Sequence, residues 1–313
     1  MSDAVRDIFA DWSPPVYLTA SIAIAALIYV RGWIALRKTR RRQFSGNRLV
    51  SFLGGLTVLW LAIGSPMEGF ADALLSAHMV EHLLLMSAVP PLLLSGLPLV
   101  PLLRGLPKVF RRFVVAPLIR VRFLRRFAHW LVTPVIAWLV MNLMFLAWHI
   151  PQAYDFALEH EFWHGIEHLC FLGTSLLFWW CILRPWPAAE HRQNWGILIY
   201  LISADVVNTL LSAFLAFCDW PVYRFYLDHP NPFRVSPLED QVLGAVIMWV
   251  IGSLAFLIPG ILITVHLLRP SGLSRSLVAG SLETMYKTPP RIRVRTSGGI
   301  VCRPARRRLY RWM

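Results

Sequence analysis

The sequence predicts an all-α, polytopic membrane protein with seven transmembrane helices. Of its 313 residues, 57% are hydrophobic and 15% are charged, whereas ordinary soluble domains carry about 25% charged residues. The apolar residues are concentrated in long runs, and about 20 helical residues are enough to cross the hydrocarbon core of a bilayer. Basic residues collect between alternate runs, a distribution typical of membrane proteins.

Each predicted span is a predominantly apolar run bounded by charged or turn-forming residues. The third and seventh are longer than a bilayer requires, and Pro90-Pro91 and Pro259-Gly260 predict kinks within them. The seven spans are expected near residues 16–36, 49–65, 74–103, 129–149, 163–183, 195–217 and 240–268.

The distribution of basic residues predicts the orientation. Almost all of the 31 Lys and Arg residues follow spans one, three, five and seven, and such residues are enriched in cytoplasmic loops. We therefore expect a periplasmic N-terminus (1–15), a membrane domain (16–268) and a basic, disordered cytoplasmic tail (269–313). Attraction to anionic lipids at the cytoplasmic face explains the net charge of +14, so we expect no nucleic-acid binding.

Several common functional classes lack their sequence signals. The four cysteines form no C-x-x-C pair, which argues against a disulfide scaffold or a thiolate zinc site. The sequence also lacks a glycine-rich phosphate loop and a serine-hydrolase elbow. Acidic residues precede the first span and basic residues follow it, the reverse of a cleaved signal peptide.

The strongest functional signal is a set of histidines at the outer ends of the predicted spans. "HMVEH" (78–82) and "HGIEH" (164–168) each place two histidines on one helix face, about 6 Å apart along the axis. Two such pairs facing each other could supply four imidazoles to one or two metal ions, since polar groups in a membrane face a bundle interior or a wet cavity. The predicted metal ligands are His78, His82, His149, His164, His168 and Asp240.

The neighbouring residues favour copper over zinc, but only weakly. Imidazole suits copper, zinc and iron alike, while Met79, Met86 and Met248 lie close to the predicted ligands along the chain. Glu81 and Glu167 are candidates for additional ligands or for hydrogen-bond partners of the histidines.

Four segments carry a family resemblance. In the same order along the chain, they resemble the bacterial integral-membrane cytochrome c oxidase assembly factor family, the seven-helix type called CtaG. The resemblance covers residues from about 15 to 268, and at position 81 family members often carry glutamine instead of glutamate. The segments are "HMVEHLLLMSAVPPLLLSGLP" (78–98), "FLAWHIPQAYDFAL" (145–158), "WHGIEHLCFLGTSLLFWW" (163–180) and "EDQVLGAVIMW" (239–249).

The resemblance implies a protein of the bacterial inner (plasma) membrane that supports maturation of a haem–copper oxidase. It implies that the five histidines and Asp240 correspond to the family's own histidines and aspartate, with copper as the expected metal. The expected partners are cytochrome c oxidase subunits or other copper-delivery proteins. The formation of a homodimer by this protein is left open.

Three alternative functions for the histidine cluster and its surroundings remain at this point. Both motifs fit H-x-x-E-H, which in metallohydrolases binds zinc and supplies a catalytic glutamate, here Glu81 or Glu167. A haem could be held between His82 and His168 on facing helices. A copper transporter is the third alternative, because Asp205 and Asn208 form a polar stripe within the sixth span and intramembrane acids often mark ion paths.

Overall fold

The computed structural model describes residues 3–183, 195–229, 231, 233–268, 292–296 and 299–303. The chain divides into two units, 1–263 and 264–313. In the second unit, an antiparallel hairpin pairs β1 (Ile292–Thr296) with β2 (Gly299–Arg303). The remainder of the tail, for which disorder is expected, lies outside the described residues.

The first unit is helical, and its described residues contain no strand. Two π-helical turns, Leu84–Ala88 and Arg111–Val115, each join one α-helix directly to the next. The helices are α1 (Asp3–Asp11), α2 (Val16–Arg37), α3 (Gly46–Ile63), α4 (Met67–Ala73), α5 (Leu75–Leu83), α6 (Val89–Ser95), α7 (Leu99–Gly105), α8 (Lys108–Phe110), α9 (Ala116–Arg120), α10 (Arg122–Leu131), α11 (Pro134–Trp148), α12 (Pro151–Leu158), α13 (Glu161–Leu183), α14 (Trp195–Phe217), α15 (Phe225–Asp228) and α16 (Pro237–Leu268).

Side-chain burial in the long helices has the pattern of a membrane protein. On α14, Ile202, Val206 and Leu210 are exposed, whereas Asn208 and Ser212 are buried. Apolar residues thus point outward and polar residues inward, as lipid surroundings require. Six helical segments are long and apolar enough to cross a membrane: Val16–Arg37, Gly46–Ile63, Leu75–Ser95, Glu161–Leu183, Trp195–Phe217 and Pro237–Leu268.

The fourth predicted span differs from the expected single helix over 129–149. Instead, α10 and α11 meet at a bend of 72°, and α11 has only 15 residues. Thr133, between them, is extended, because the ring of Pro134 disfavours the helical conformation in the residue before it. The number of membrane spans reaches seven only if this bent pair forms one span. Seven spans and the orientation of the termini therefore stay predictions.

The third predicted span ends at Ser95 and does not continue to residue 103. Pro90 has no N–H to donate to the carbonyl of Met86 one turn earlier, and the indole Nε1–H of Trp179 donates to that carbonyl instead, at 2.9 Å. At the end of α6, Arg48 Nη1 donates to the carbonyl of Ser95 at 2.6 Å. A cation at the carboxyl end of a helix complements the helix dipole.

Candidate metal centre

Five histidines from three helices lie together at one end of the bundle. His78 and His82 are on α5, His164 and His168 are on α13, and His149 directly follows α11. The ring centroids of His78 and His164 are 5.2 Å apart, those of His82 and His168 are 5.7 Å apart, and those of His82 and His149 are 6.4 Å apart. The structure therefore brings together the five histidines that the sequence singled out.

The two H-x-x-E-H motifs pair reciprocally. His82 Nε2 lies 3.7 Å from Glu167 Oε1, and His168 Nε2 lies 3.3 Å from Glu81 Oε1. Both glutamates are fully buried. Each carboxylate thus faces a histidine of the other motif, and the site has an approximate internal symmetry between α5 and α13.

Seven of the ten imidazole nitrogens of this cluster are buried without hydrogen-bond partners. Buried polar atoms are nearly always hydrogen-bonded, and leaving one unpaired costs several kcal/mol in an apolar interior. A group of such atoms converging on one point therefore fits a bound cation, which neutral imidazoles coordinate through their lone pairs. The unpartnered atoms are His78 Nδ1 and Nε2, His82 Nδ1 and Nε2, His149 Nε2, His164 Nε2, His168 Nε2, and both carboxylate oxygens of Glu81 and Glu167.

His149 is held in one tautomer. Its Nδ1 lies 2.7 Å from the carbonyl oxygen of Phe145, and a carbonyl oxygen only accepts hydrogen bonds, so Nδ1 carries the proton. The lone pair is then on Nε2, the atom that has no partner. Such a backbone contact is typical of metal-binding histidines, because it fixes the orientation of the ring.

The ligand atoms form two compact triads, within each of which all three atoms lie within 4.8 Å of one another. Metal–imidazole bonds are about 2.0–2.1 Å long for zinc, so each triad can close around one ion through small side-chain rotations. The triads are His78, His82 and His168, and His78, His164 and Glu167.

Three tyrosines cover the cluster on one side. The ring of Tyr154 lies 5.3 Å from that of His78 and 4.1 Å from that of Tyr223. Tyr226 donates to the carbonyl of Ala71 at 3.1 Å, and its hydroxyl lies 3.3 Å from that of Tyr154. The connection between α14 and α16 therefore packs against Tyr154, the ring that faces His78.

Burial raises the pKa of both hydroxyls that this connection contributes, Tyr223 and Tyr226, so that they stay protonated. Asp155 accepts hydrogen bonds from the backbone amides of Arg224 and Phe225. This carboxylate holds the start of α15, and with it the tyrosine cover, in place.

Asp240 binds the backbone of α5. Its Oδ2 accepts from the amide of Leu75 at 2.6 Å, and its Oδ1 accepts from the amide of Ser76 at 3.3 Å. The free amides at a helix N-terminus favour an anionic acceptor. Asp240 therefore positions the helix that carries His78 and His82, and it is in neither set of clustered ligand atoms.

The predicted methionines lie among apolar side chains. Met79 and Met248 belong to a buried hydrophobic cluster, and Met86 packs against it. Their contribution of sulfur ligands to a copper site stays a prediction.

A small cavity lies below the histidines, and one polar residue of the sixth predicted span, Asn208, lines it. The cavity, of about 30 Å³, is lined in part by Met86, Asn142 and Asn208, and this volume is enough for a water molecule. Asn208 Nδ2 donates to the carbonyl of Met248 at 3.3 Å. Asp205 is half-buried, with one carboxylate oxygen unpartnered, and its function stays a prediction.

A pair of acidic residues precedes the site on α4. Burial, followed by the neighbouring Asp72 and Glu161, raises the pKa of Glu68. Burial also raises the pKa of Asp72. These carboxyl groups therefore bear their negative charge less readily than carboxyl groups in water.

The sequence profile of one family, described as cytochrome c oxidase caa3 assembly factor, matches residues 27–270. The chain belongs to this family. The match includes all five clustered histidines, both motif glutamates and Asp240. The caa3 assembly factor resemblance inferred from the four sequence segments is therefore confirmed.

The curated relatives are mycobacterial proteins. Uncharacterized proteins of Mycobacterium bovis and Mycobacterium tuberculosis are each 25% identical over 245 residues, which is 76% of this chain and 36% of theirs. One of Mycobacterium leprae is 24% identical over 259 residues, covering 77% of this chain and 37% of its own. This chain thus spans little more than a third of their length. No solved structure matches it significantly.

Proposed function

We propose that this caa3 assembly factor family member binds copper at the five-histidine cluster and supports metal insertion into a haem–copper oxidase. In this proposal it lies in the bacterial plasma membrane, with the cluster near the outer face. Its partners are oxidase subunits or other copper-delivery proteins. The family membership supports the role in assembly, and the chemistry of the cluster supports the metal.

One observation carries the proposal: buried imidazole nitrogens without partners converge between α5, α11 and α13. Hydrogen bonding among the described residues leaves these atoms unsatisfied, while a metal ion would use them as ligands. Imidazole is a ligand that copper accepts readily. The positive charge of the ion would also stabilise the buried carboxylates of Glu81 and Glu167, whose facing groups within ion-pair distance are His168 and His82.

The surroundings suit a site that retains its metal until a partner arrives. The tyrosine cover of Tyr154, Tyr223 and Tyr226 shields the rings from solvent on one side. His78 is fully buried, whereas His164 and His168 each retain 8% exposure. The α13 side is therefore the more accessible one, and we propose it as the route by which copper enters and leaves.

Elemental analysis of the purified full chain tests the proposal. We expect wild-type protein loaded with copper and desalted to retain it, and the double variant His82→Ala/His168→Ala to lose it. The matched control is His160→Ala, because His160 is close in sequence but exposed, with its Nδ1 at 2.9 Å from the Phe156 carbonyl of α12.

A second arm measures oxidase maturation in a host strain that lacks its own copy of the gene. The double variant is expected to abolish assembly of active oxidase, while His160→Ala restores it fully. Unchanged copper content and unchanged oxidase in the double variant would contradict the proposal. Retained oxidase with lost copper would instead show that the family role does not depend on this metal.

A third arm tests the orientation. In a background in which all four native cysteines are replaced by serine, single cysteines replace the exposed His229 and the exposed Lys108. A membrane-impermeant maleimide added to intact spheroplasts is expected to label position 229 and not position 108. Labelling at position 108 alone would reverse the proposed orientation.

A further inference from the structure

The two triads share His78, and this ring is the central feature of the cluster. One triad joins His78 to His82 and His168, and the other joins it to His164 and Glu167. An imidazole has two nitrogens, and both nitrogens of His78 are buried and without hydrogen-bond partners. His78 therefore has as many unpartnered ring nitrogens as there are triads.

The number of unpartnered donors is too large for one ion. Protein zinc sites are mostly four-coordinate, whereas the four histidines of the two motifs and the two glutamates all carry unpartnered atoms and can supply one ligand atom each, which makes six. With a single ion in either triad, the carboxylate or a histidine of the other triad would remain buried and unsatisfied, which is unfavourable. Two ions would give ligand partners to both triads.

The reciprocal pairing of the two H-x-x-E-H motifs also favours a site with two metal ions. Glu167 faces His82, and Glu81 faces His168, so each half of the site contains a carboxylate and a histidine from different helices. The two buried carboxylates and the deprotonated ring of a bridging His78 would carry three negative charges, which offset most of the four positive charges of two Cu(II) ions in an interior that disfavours uncompensated charge.

We propose that the cluster is a dinuclear metal site in which His78 bridges two copper ions. One ion is held by His82 and His168, and the other by His164 and Glu167. Bridging requires His78 to release its remaining ring proton to water, so that each nitrogen donates a lone pair. This inference rests on the proposed copper-binding function and adds the number of ions and the bridging residue.

The test combines metal counting with electron paramagnetic resonance of the full chain in detergent, loaded with Cu(II) sulfate and desalted. We expect two copper ions per chain and a spin count well below two, because an imidazolate bridge couples two Cu(II) centres antiferromagnetically. His164→Gln is expected to retain one ion, now with a spin count of about one per copper. His160→Ala is the matched control and retains two.

The outcomes separate this inference from the function on which it rests. One copper per wild-type chain, unchanged by His164→Gln, would overturn the dinuclear site and leave the copper-binding proposal intact. No copper in the wild type would overturn both. Two copper ions with a full two-spin signal would overturn the bridge by His78. The wild-type measurements decide these points even where a variant fails to fold.

Discussion

His168 Nε2 lies 3.3 Å from Oε1 of Glu81, so the second histidine of one motif meets the glutamate of the other. The reciprocal contact joins His82 to Glu167 at 3.7 Å. The two glutamates nevertheless differ, because Glu167 belongs to a ligand triad and Glu81 does not. We therefore expect Glu167 to act as a metal ligand and Glu81 to act beside the ligands.

Substitution of the two glutamates by glutamine is expected to have unequal effects. Glu81→Gln keeps the side-chain size beside His168 and removes no member of either triad, so copper affinity should fall by about tenfold, the low end of the range for residues that surround metal ligands. Glu167→Gln removes a ligand carboxylate, and affinity should fall by about 10–100-fold or more. Competition titration against a copper chelator measures both.

Equal losses in the two glutamine variants would show that the triads do not describe the metal ligands. The metallohydrolase alternative has its own signature in the same proteins: a peptidase activity that disappears in either variant while the metal is retained.

Asp240 is expected to act through the position of α5. Asparagine caps helices about as well as aspartate, so Asp240→Asn should keep the wild-type copper content. Asp240→Ala leaves the amides of Leu75 and Ser76 without this acceptor and should lower the free energy of unfolding by about 0.5–2 kcal/mol. Thermal unfolding in detergent and elemental analysis report the two effects.

The exposed Asp228 provides the control, because Asp228→Asn should change neither quantity. Loss of copper from Asp240→Asn at unchanged unfolding temperature would identify Asp240 as a ligand, as the family resemblance implies.

Trp179 is expected to stabilise the proline-containing segment of the third span. Trp179→Phe removes the donor to the Met86 carbonyl, which Pro90 cannot replace. An unsatisfied buried carbonyl costs about 1–3 kcal/mol, so the unfolding midpoint in detergent should fall. Trp180→Phe, on the less buried neighbouring position, should have a much smaller effect. Similar effects from both substitutions would indicate lost packing and not a lost hydrogen bond.

Glu68 is expected to destabilise the fold at neutral pH. Its pKa is raised above the ordinary 4.5, first by burial and then by Asp72 and Glu161. The folded state therefore binds this proton more tightly than the unfolded state, and stability falls as the pH rises from about 4.5 through the raised pKa.

Glu68→Gln should accordingly raise the unfolding midpoint at pH 7, and the gain should disappear near pH 4. The exposed Glu159 provides the control, because Glu159→Gln should give no comparable gain. A pH-independent gain from Glu68→Gln would point to a cause other than the carboxylate charge.

The sequence predicted the long helices well because hydrophobic length is a local property. The spans expected at 163–183 and 195–217 coincide closely with α13 and α14. The fourth span was not predictable as a bent pair, since Pro134 signals a possible helix start without giving an angle. The true end of the third span was equally hidden, because it depends on contacts from α2 and α3 to the end of α6.

For the candidate site, the sequence by itself determined which histidines share a helix face, because a separation of four residues fixes this in any α-helix. It also determined the family, since the motif-bearing segments occur in order. Only the tertiary structure decided that each glutamate faces the other motif, that His78 is common to both triads, and that Asp240 binds the start of α5. Those relationships depend on how α5, α13 and α16 pack against one another, and side-chain packing between distant segments leaves no periodic signal in the chain.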